Sequence, residues 1–245
     1  MPQTLALFAG PLTADNIMHK RLPQSVRIQA GEDMESARIA PFIHHHQRYE
    51  DWFERHHAAY LSELLAVRAL LPWRGRGLEI GVGSGRFAAP LGVGFGIDPA
   101  AEMLAYARAR GIRVECAVAE ALPFADAAFD YALVVTTICF VDDAAAMLAE
   151  ARRVVRPGGE LVIGFIDRTS DLGRHYEAHR EENVFYRDAK FHSGDEVERL
   201  LGAAGFGIPV WAQTLCRPLA EIREIDPMRE GRGQGSFVVV KAGRP

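Results

Sequence analysis

The sequence has little of what several classes of protein depend on. Only three cysteines occur in 245 residues, at Cys116, Cys139 and Cys216, and they are far apart and surrounded by apolar residues. An odd and scattered set of this kind indicates reduced core thiols, not a disulfide framework or a cysteine zinc site. The histidine run at 44–46 has no further ligand at metal-binding spacing. No metal site is therefore predicted.

Long apolar runs and basic blocks are missing as well. No stretch approaches the ~20 apolar residues that a membrane span needs, and the N-terminus lacks the basic start and long apolar region of a secretory signal. The formal net charge is −4 and no basic stripe stands out, which disfavours nucleic acid as a partner. We therefore expect a cytoplasmic protein that binds neither membrane nor nucleic acid, and the sequence leaves its oligomeric state open.

What is present is a globular composition with one informative turn. Hydrophobic residues make up 49% of the chain and charged residues 24%, as in a single soluble α/β domain. The apolar run Gly77–Ile80 predicts a strand, glycines follow at 81, 83 and 85, and a helical pattern begins at Arg86. A strand, a glycine turn and a helix start are typical of the nucleotide-binding unit of a doubly wound sheet.

The spacing of the glycines separates the candidate ligands. A dinucleotide turn has the pattern G-x-G-x-x-G, whereas this turn has G-x-G-x-G with Arg86 in the place of the third dinucleotide glycine. A P-loop needs a lysine that is not found near this turn. The acidic Glu79 before the first glycine favours a ligand that carries a cation over one that carries phosphate.

Three motifs together resemble one family. The turn, read from Glu79, is E-x-G-x-G-x-G and resembles motif I of the class I S-adenosylmethionine-dependent methyltransferases. Residues 118–130 resemble the L-P-F-x-D-x-x-F-D signature of those relatives that act on quinones, sterols and other small metabolites. Residues 150–163 resemble the helix, turn and fifth strand of the same superfamily.

The resemblance implies a fold and a ligand. The fold is a doubly wound, Rossmann-like, seven-stranded sheet that is mostly parallel, with an antiparallel last strand. The cofactor is S-adenosyl-L-methionine and the acceptor is a small molecule. Two alternatives stay open: a non-catalytic protein that senses S-adenosylmethionine, and a nucleotide-dependent oxidoreductase, which Arg86 disfavours.

Asp98 is the strongest single candidate in the cofactor site. It ends the apolar strand 94–97 and lies 17 residues after Gly81, where one carboxylate can accept hydrogen bonds from both ribose hydroxyls. The same side chain is also a candidate N-cap ahead of Pro99. Val118 stands where the family has an adenine-binding aspartate, so the backbone of Ala119, or Glu120, is left for that role. The predicted cofactor-binding residues are Glu79, Gly81, Gly83, Gly85, Asp98, Pro99, Ala119, Glu120, Thr136 and Tyr49.

The remaining segments receive positional predictions. Residues 1–43 form an N-terminal extension without an assigned role, and 44–245 form the methyltransferase domain. A helical stripe within 44–71 is expected to lie over the cofactor as a lid, and the segment 166–193, after the fifth strand, is the candidate substrate cap. His175 and His179 in that segment are the candidate catalytic bases, because they lie four residues apart on a predicted helix.

Overall fold

The structure, a computed structural model, describes residues 38–245. The short apolar segments at 5–8 and 26–28, and most of the predicted extension 1–43, lie outside the described residues. These residues form eight α-helices, numbered here along the chain: α1 (Ala40–His44), α2 (His46–Arg55), α3 (His57–Leu70), α4 (Ala88–Leu91), α5 (Ala101–Ala109), α6 (Ala144–Val154), α7 (Asp171–Ala178) and α8 (Gly194–Ala203).

The described strands form one mixed sheet. They are β1 (Gly77–Ile80), β2 (Phe95–Asp98), β3 (Arg113–Cys116), β4 (Phe129–Val135), β5 (Val155–Ile166), β6 (Val210–Thr214), β7 (Arg229–Glu230) and β8 (Phe237–Gly243), in the spatial order β3-β2-β1-β4-β5-β8-β6-β7. The pairs from β3 to β5 are parallel, and β8 runs antiparallel between β5 and β6.

The predicted fold class is therefore confirmed. The sheet is mostly parallel and doubly wound, and its last strand is antiparallel. The difference is β7, a two-residue edge strand beyond the seven that were predicted. Two residues carry no readable alternation, so no sequence pattern could have indicated it.

Hydrophobic cores lie on both faces of the sheet, and β4 shows why. Ala132 and Val134 pack into the core on one face, while Tyr131, Leu133 and Val135 pack into the core on the other. A strand buried on both faces has to be apolar throughout, because successive side chains point to opposite faces.

The predicted helix over 44–71 is interrupted. α2 and α3 meet at His56, whose backbone (φ −114°, ψ 38°) leaves the helical region. α3 then packs across β5, β8 and β6, while α2 and α1 belong to the cavity wall. Among residues 38–245, no helix is both long and apolar enough to cross a membrane.

Side-chain caps fix the starts of two helices. Asp143 caps α6, and Ser193 with Glu196 forms a capping box at the start of α8. The N-cap role of Asp98 was wrong, because the cap residue of α5 is Ala100 and Asp98 lies before the helix. The Pro-Gly-Gly turn at 157–159 lies within β5 rather than ahead of it.

The capping box at α8 gives a stability prediction. The Ser193 hydroxyl accepts from the Glu196 N–H and the Glu196 carboxylate accepts from the Ser193 N–H at 2.8 Å. Ser193→Ala removes one side of this exchange, so we expect the free energy of unfolding to fall by about 1 kcal/mol. Urea unfolding of both proteins measures this, and an unchanged midpoint and slope would contradict it.

Candidate active site

One cavity of about 310 Å³ runs along the carboxyl edge of the sheet. Its walls include residues that follow β1, β2 and β4, together with Ile166 at the end of β5 and Leu215 just after β6. Ligands of open α/β sheets bind beyond the carboxyl ends of the strands. The cavity thus extends from the β2 side of the sheet to the β6 side.

The glycine turn forms the floor at the β1–β2 side. Gly81 and Gly83 line the cavity, and both have positive φ (73° and 50°). A Cβ on Gly81 would lie 2.3 Å from the Thr137 side chain, whereas one on Gly83 would meet Met103 and Tyr49 only at 3.5 and 3.6 Å. Gly81 therefore has no room for a side chain, and Gly83 leaves its space to the cavity.

Asp98 lines the cavity beside this turn. Its Oδ2 accepts from the Gly83 N–H at 2.9 Å and its Oδ1 accepts from the Ala100 N–H at 2.9 Å. Burial raises the pKa of Asp98 to about 6, against the lowering effect of these two donors. The carboxylate therefore fixes the turn and still faces the cavity, where each oxygen has lone pairs free to accept ligand hydroxyls.

The wall after β3 contains the predicted adenine end. Val118, Ala119 and Glu120 all line the cavity, as does Pro99. The Glu120 carboxylate accepts from the backbone N–H groups of Asp142 and Asp143 at 2.8 and 3.2 Å. Its Oε1 thus ties this wall to the start of α6, which the sequence did not indicate.

Two predicted contacts lie outside the cavity wall. Glu79 is 2% exposed behind the turn, and burial holds its pKa well above the usual range although the Ala88 N–H lowers it. A Cβ on Gly85 would lie 2.5 Å from Ile112, so this glycine allows the turn to pack against the residue that directly precedes β3. Neither residue faces the cavity, and both support the turn from behind.

Glu50 joins the covering helix α2 to the glycine turn. Its Oε2 accepts from Arg86 at 3.0 Å and from Arg110 at 2.6 Å, and Arg110 also donates to the Ser84 carbonyl at 2.6 Å. Glu50 is 6% exposed, and although burial raises its pKa, the hydrogen bonds hold that pKa below its ordinary value. Arg86, the residue that replaces the dinucleotide glycine, thus anchors the cover.

Aromatic side chains form the opposite wall. Tyr49 and Phe53 of α2 are in edge contact, with ring centroids 5.1 Å apart, and Phe140 stacks on Tyr186 at 6.1 Å. The other aromatic residues that line the cavity are Phe42, Trp52, Phe87, Tyr176 and Phe185. Segment 166–193 contributes Leu172, Tyr176, Asn183, Phe185 and Tyr186 to the cavity, a position that agrees with its prediction as a substrate cap.

The two candidate catalytic histidines do not reach the cavity. His175 and His179 are exposed and contact each other, with ring centroids 4.3 Å apart and ring planes tilted by 36°. Leu172 and Tyr176, also four residues apart on α7, take the face of the helix that lines the cavity. Their prediction as bases therefore lacks support, because a neighbouring residue on a helix is turned by about 100°.

Thr136 follows β4 directly, at the middle of the cavity. Its φ of +49° is unusual for a β-branched residue, and its N–H donates to the Gly164 carbonyl of β5 at 2.8 Å. Such conformations persist only where surrounding contacts hold them and are found at functional sites. Thr136 lines the cavity as predicted.

Glu63 of α3 is a cavity residue that the sequence reading missed. It is 5% exposed, lines the cavity, and has its pKa raised by burial from 4.5 to about 8. Its position in the apolar stripe of the helix would have identified it as a buried charge. The stripe was instead read from its apolar members alone.

The comparisons with known proteins agree on a family. The sequence model of a protein family described as a methyltransferase domain matches residues 78–163 of this chain. A crystal structure from Thermotoga maritima of an S-adenosylmethionine-dependent methyltransferase, described as a possible histamine N-methyltransferase, is 47% identical and covers 86% of this chain and 100% of that one, with a TM-score of 0.83. This chain belongs to the class I S-adenosylmethionine-dependent methyltransferases.

Curated relatives extend the comparison. An uncharacterized protein of Methanocaldococcus jannaschii is 40% identical over 196 residues, covering 80% of this chain and 95% of that protein. A ubiquinone biosynthesis O-methyltransferase of Azorhizobium caulinodans is 31% identical over 170 residues, covering 62% of this chain and 67% of the relative. As an enzyme of this family, the protein uses S-adenosylmethionine as methyl donor.

The residues of the β1–β2 side fit this cofactor. The space that Gly83 leaves open, the lone pairs of Asp98 and the wall at 118–120 suit a nucleoside that carries no phosphate. When bound, the cofactor supplies an electrophilic methyl group on a sulfonium. The chain's own contribution is to hold that group, to orient the acceptor against it and to exclude water.

Two glycine variants separate the cost of a steric clash from the cost of a positive φ. In Gly83→Ala the new Cβ meets no atom closer than 3.5 Å, so we expect the cost of positive φ alone, roughly 1–2 kcal/mol of unfolding free energy. Gly81→Ala adds the 2.3 Å overlap with Thr137 and should be clearly more destabilising. Urea unfolding of both variants tests this order, and equal losses would contradict it.

The buried Glu63 predicts a dependence of stability on pH. Its pKa is about 8 in the folded protein against 4.5 ordinarily, so the folded state binds the proton more tightly between these values. The stability this proton contributes is complete below pH 4.5 and is lost as pH rises to about 8.

The comparison with Glu63→Gln isolates this effect, because all other titrating groups are common to both proteins. We expect the unfolding free energy of the variant, minus that of the wild type, to rise with pH by at most ~1.4 kcal/mol per unit across this interval and to level off above it. Urea titrations at a series of pH values measure the difference. A difference that does not vary with pH would show that Glu63 titrates normally.

Proposed function

We propose that this enzyme transfers the methyl group of S-adenosylmethionine to a small molecule held at the aromatic end of the cavity. The observation that carries this is the continuity of one cavity from Gly83 and Asp98 to Tyr176 and Tyr186. Its volume of about 310 Å³ is in the range of small-molecule pockets. A donor and an acceptor in the same enclosed space can meet without water between them.

In this proposal the two ligands occupy different halves of the cavity. The donor side lies over β1 and β2, where Gly81, Gly83 and Asp98 are found. The acceptor side lies over β5 and β6, beneath α3, α7 and the loop at 183–186. Tyr49 stands between them. Burial is the main cause that raises the pKa of its phenol, and the charge of Asp98 is the next. The charge of Glu63 contributes too, after those of two other carboxylates.

The acceptor atom is open between nitrogen and oxygen. The Thermotoga relative is described as a possible histamine N-methyltransferase and the Azorhizobium relative as an O-methyltransferase of ubiquinone biosynthesis. Both descriptions name a small molecule. The predicted roles of the cofactor residues and of the substrate cap 166–193 belong to this proposal.

Asp98 provides the test of the donor side. Asp98→Ala removes the carboxylate that faces the cavity and also frees the Gly83 N–H, so we expect affinity for S-adenosylmethionine and S-adenosylhomocysteine to fall by about tenfold or more. Asp195→Ala, an exposed carboxylate of α8 outside the cavity, is the matched control. Isothermal titration calorimetry measures both ligands.

Two results would count against the proposal. Unchanged affinity in Asp98→Ala would remove this residue from the donor site. Binding of NAD(H) by the wild type, with neither adenosyl ligand bound, would contradict the donor itself. Methyl transfer from the labelled cofactor to a panel of small amines, phenols and alcohols then identifies the acceptor.

A further inference from the structure

Glu63 lies at the acceptor end of the cavity, and the path of the chain explains why. α3 leads through residues 71–76 into the start of β1, so its C-terminus is at the amino edge of the sheet and its N-terminus points to the carboxyl edge. Val67 of α3 packs near Gly164 of β5. Glu63, one helical turn earlier, therefore reaches the carboxyl edge where Ile166 lines the cavity.

The carboxyl of Glu63 has no partner within residues 38–245. It is 5% exposed, and no hydrogen bond or ion pair to it is found in that part of the chain. In contrast, Oε2 of the buried Glu50 accepts from two arginines, and the buried Asp167 accepts from the N–H groups of Thr169 and Gly194. Burial of an unpaired carboxyl costs free energy, which makes Glu63 a candidate for binding a ligand.

Aromatic rings line the same cavity as this carboxyl, Tyr176 and Tyr186 among them. After burial, the charge of Glu63 is the next cause that raises the pKa of Tyr176, and it also contributes to the raised pKa of Tyr186. The sheet presents the apolar Ile166 and Leu215 to the same cavity. A carboxylate beside the faces of aromatic rings forms a favourable environment for a cation.

The cationic side chains of the cavity are engaged elsewhere. Arg38 pairs with Asp142 at 3.0 Å and donates to the Val141 carbonyl. Arg48 lies over the Phe185 ring, and Arg55 donates to the Asp51 carbonyl. None of these three forms an ion pair with Glu63 among the described residues.

We infer that Glu63 binds a positively charged nitrogen of the acceptor, and that the acceptor of this enzyme is an amine. Three observations carry the inference: the carboxyl is buried, it lacks a partner among residues 38–245, and it faces the cavity among aromatic rings. The inference rests on the proposed function, because it takes the β5–β6 side of the cavity as the acceptor side.

The chemistry of methylation gives Glu63 a second use. An amine that binds as an ammonium has to lose one proton before its nitrogen lone pair can attack. Transfer then forms the N–CH₃ bond, breaks the S–CH₃ bond and leaves that electron pair on sulfur. The carboxylate of Glu63 accepts the released proton and returns it to solvent when the product leaves.

The test uses the full-length protein loaded with S-adenosylhomocysteine. Calorimetry compares two amine probes, phenethylamine and histamine, with 2-phenylethanol, an uncharged compound of the size of phenethylamine. We expect an amine to bind more tightly than the alcohol and to release protons at neutral pH, because ammonium binding ionises Glu63. Proton release is obtained by repeating the titration in buffers of different ionisation enthalpy.

Glu63→Gln keeps the size of the side chain and removes its charge. We expect amine affinity to fall by about tenfold to a hundredfold and the proton release to disappear. S-adenosylhomocysteine affinity should change little, since Glu63 lies on the other side of the cavity. Glu177→Gln, an exposed carboxylate next to Tyr176 that does not line the cavity, should match the wild type.

The outcomes distinguish a failure of the proposed function from a failure of the inference about Glu63. Wild-type protein that fails to bind S-adenosylhomocysteine would overturn the proposed function. If the cofactor product binds but neither amine does, if the alcohol binds as tightly as the amines, or if Glu63→Gln binds amines as the wild type does, only the inference about Glu63 is overturned. A hydroxyl acceptor would then be the class to examine.

Discussion

The cavity depends on one buried carboxylate. Glu50 sits between Arg86 and Arg110 and so holds the covering helix α2 against the glycine turn. Charged hydrogen bonds of this kind are shorter and stronger than those between neutral groups. Because α2 carries Tyr49 and Phe53, the position of the aromatic wall over the turn follows from this contact.

Asp98 makes a second connection, from within the sheet. By accepting from the Gly83 and Ala100 N–H groups, it fixes the turn after β1 to the segment after β2. The floor of the donor side is therefore determined by one side chain and its backbone partners. Together, Glu50 and Asp98 position the cover and the floor of the cavity.

The sequence allowed the fold and the donor side to be predicted because both depend on local patterns. Apolar runs gave the strands, the glycine spacing gave the turn, and the end of the β2 strand located Asp98. The acceptor side could not be predicted in this way. It is assembled from α3, α7 and the loop at 183–186, which are distant in sequence, and only the folded chain brings Glu63 near Tyr176.

Four of the predicted site residues lie outside the cavity wall for the same reason. His175 and His179 were chosen by residue type and spacing, but spacing does not say which face of a helix turns inward. Glu79 and Gly85 belong to the motif, yet they support it from behind. Motif membership therefore indicated the right segment and did not separate contact from support.

The uneven attachment of the cover has a consequence for ligand exchange. On the β1–β2 side α2 is held by the arginine pairs of the buried Glu50, whereas on the opposite side the segment 177–182, which leads from α7 into the loop at 183–186, is exposed along its whole length. Segments with few buried contacts open at the lowest free-energy cost. Among the described residues around the cavity, this segment is thus where opening costs least, so a ligand on the β5–β6 side can exchange without breaking the Glu50 pairs.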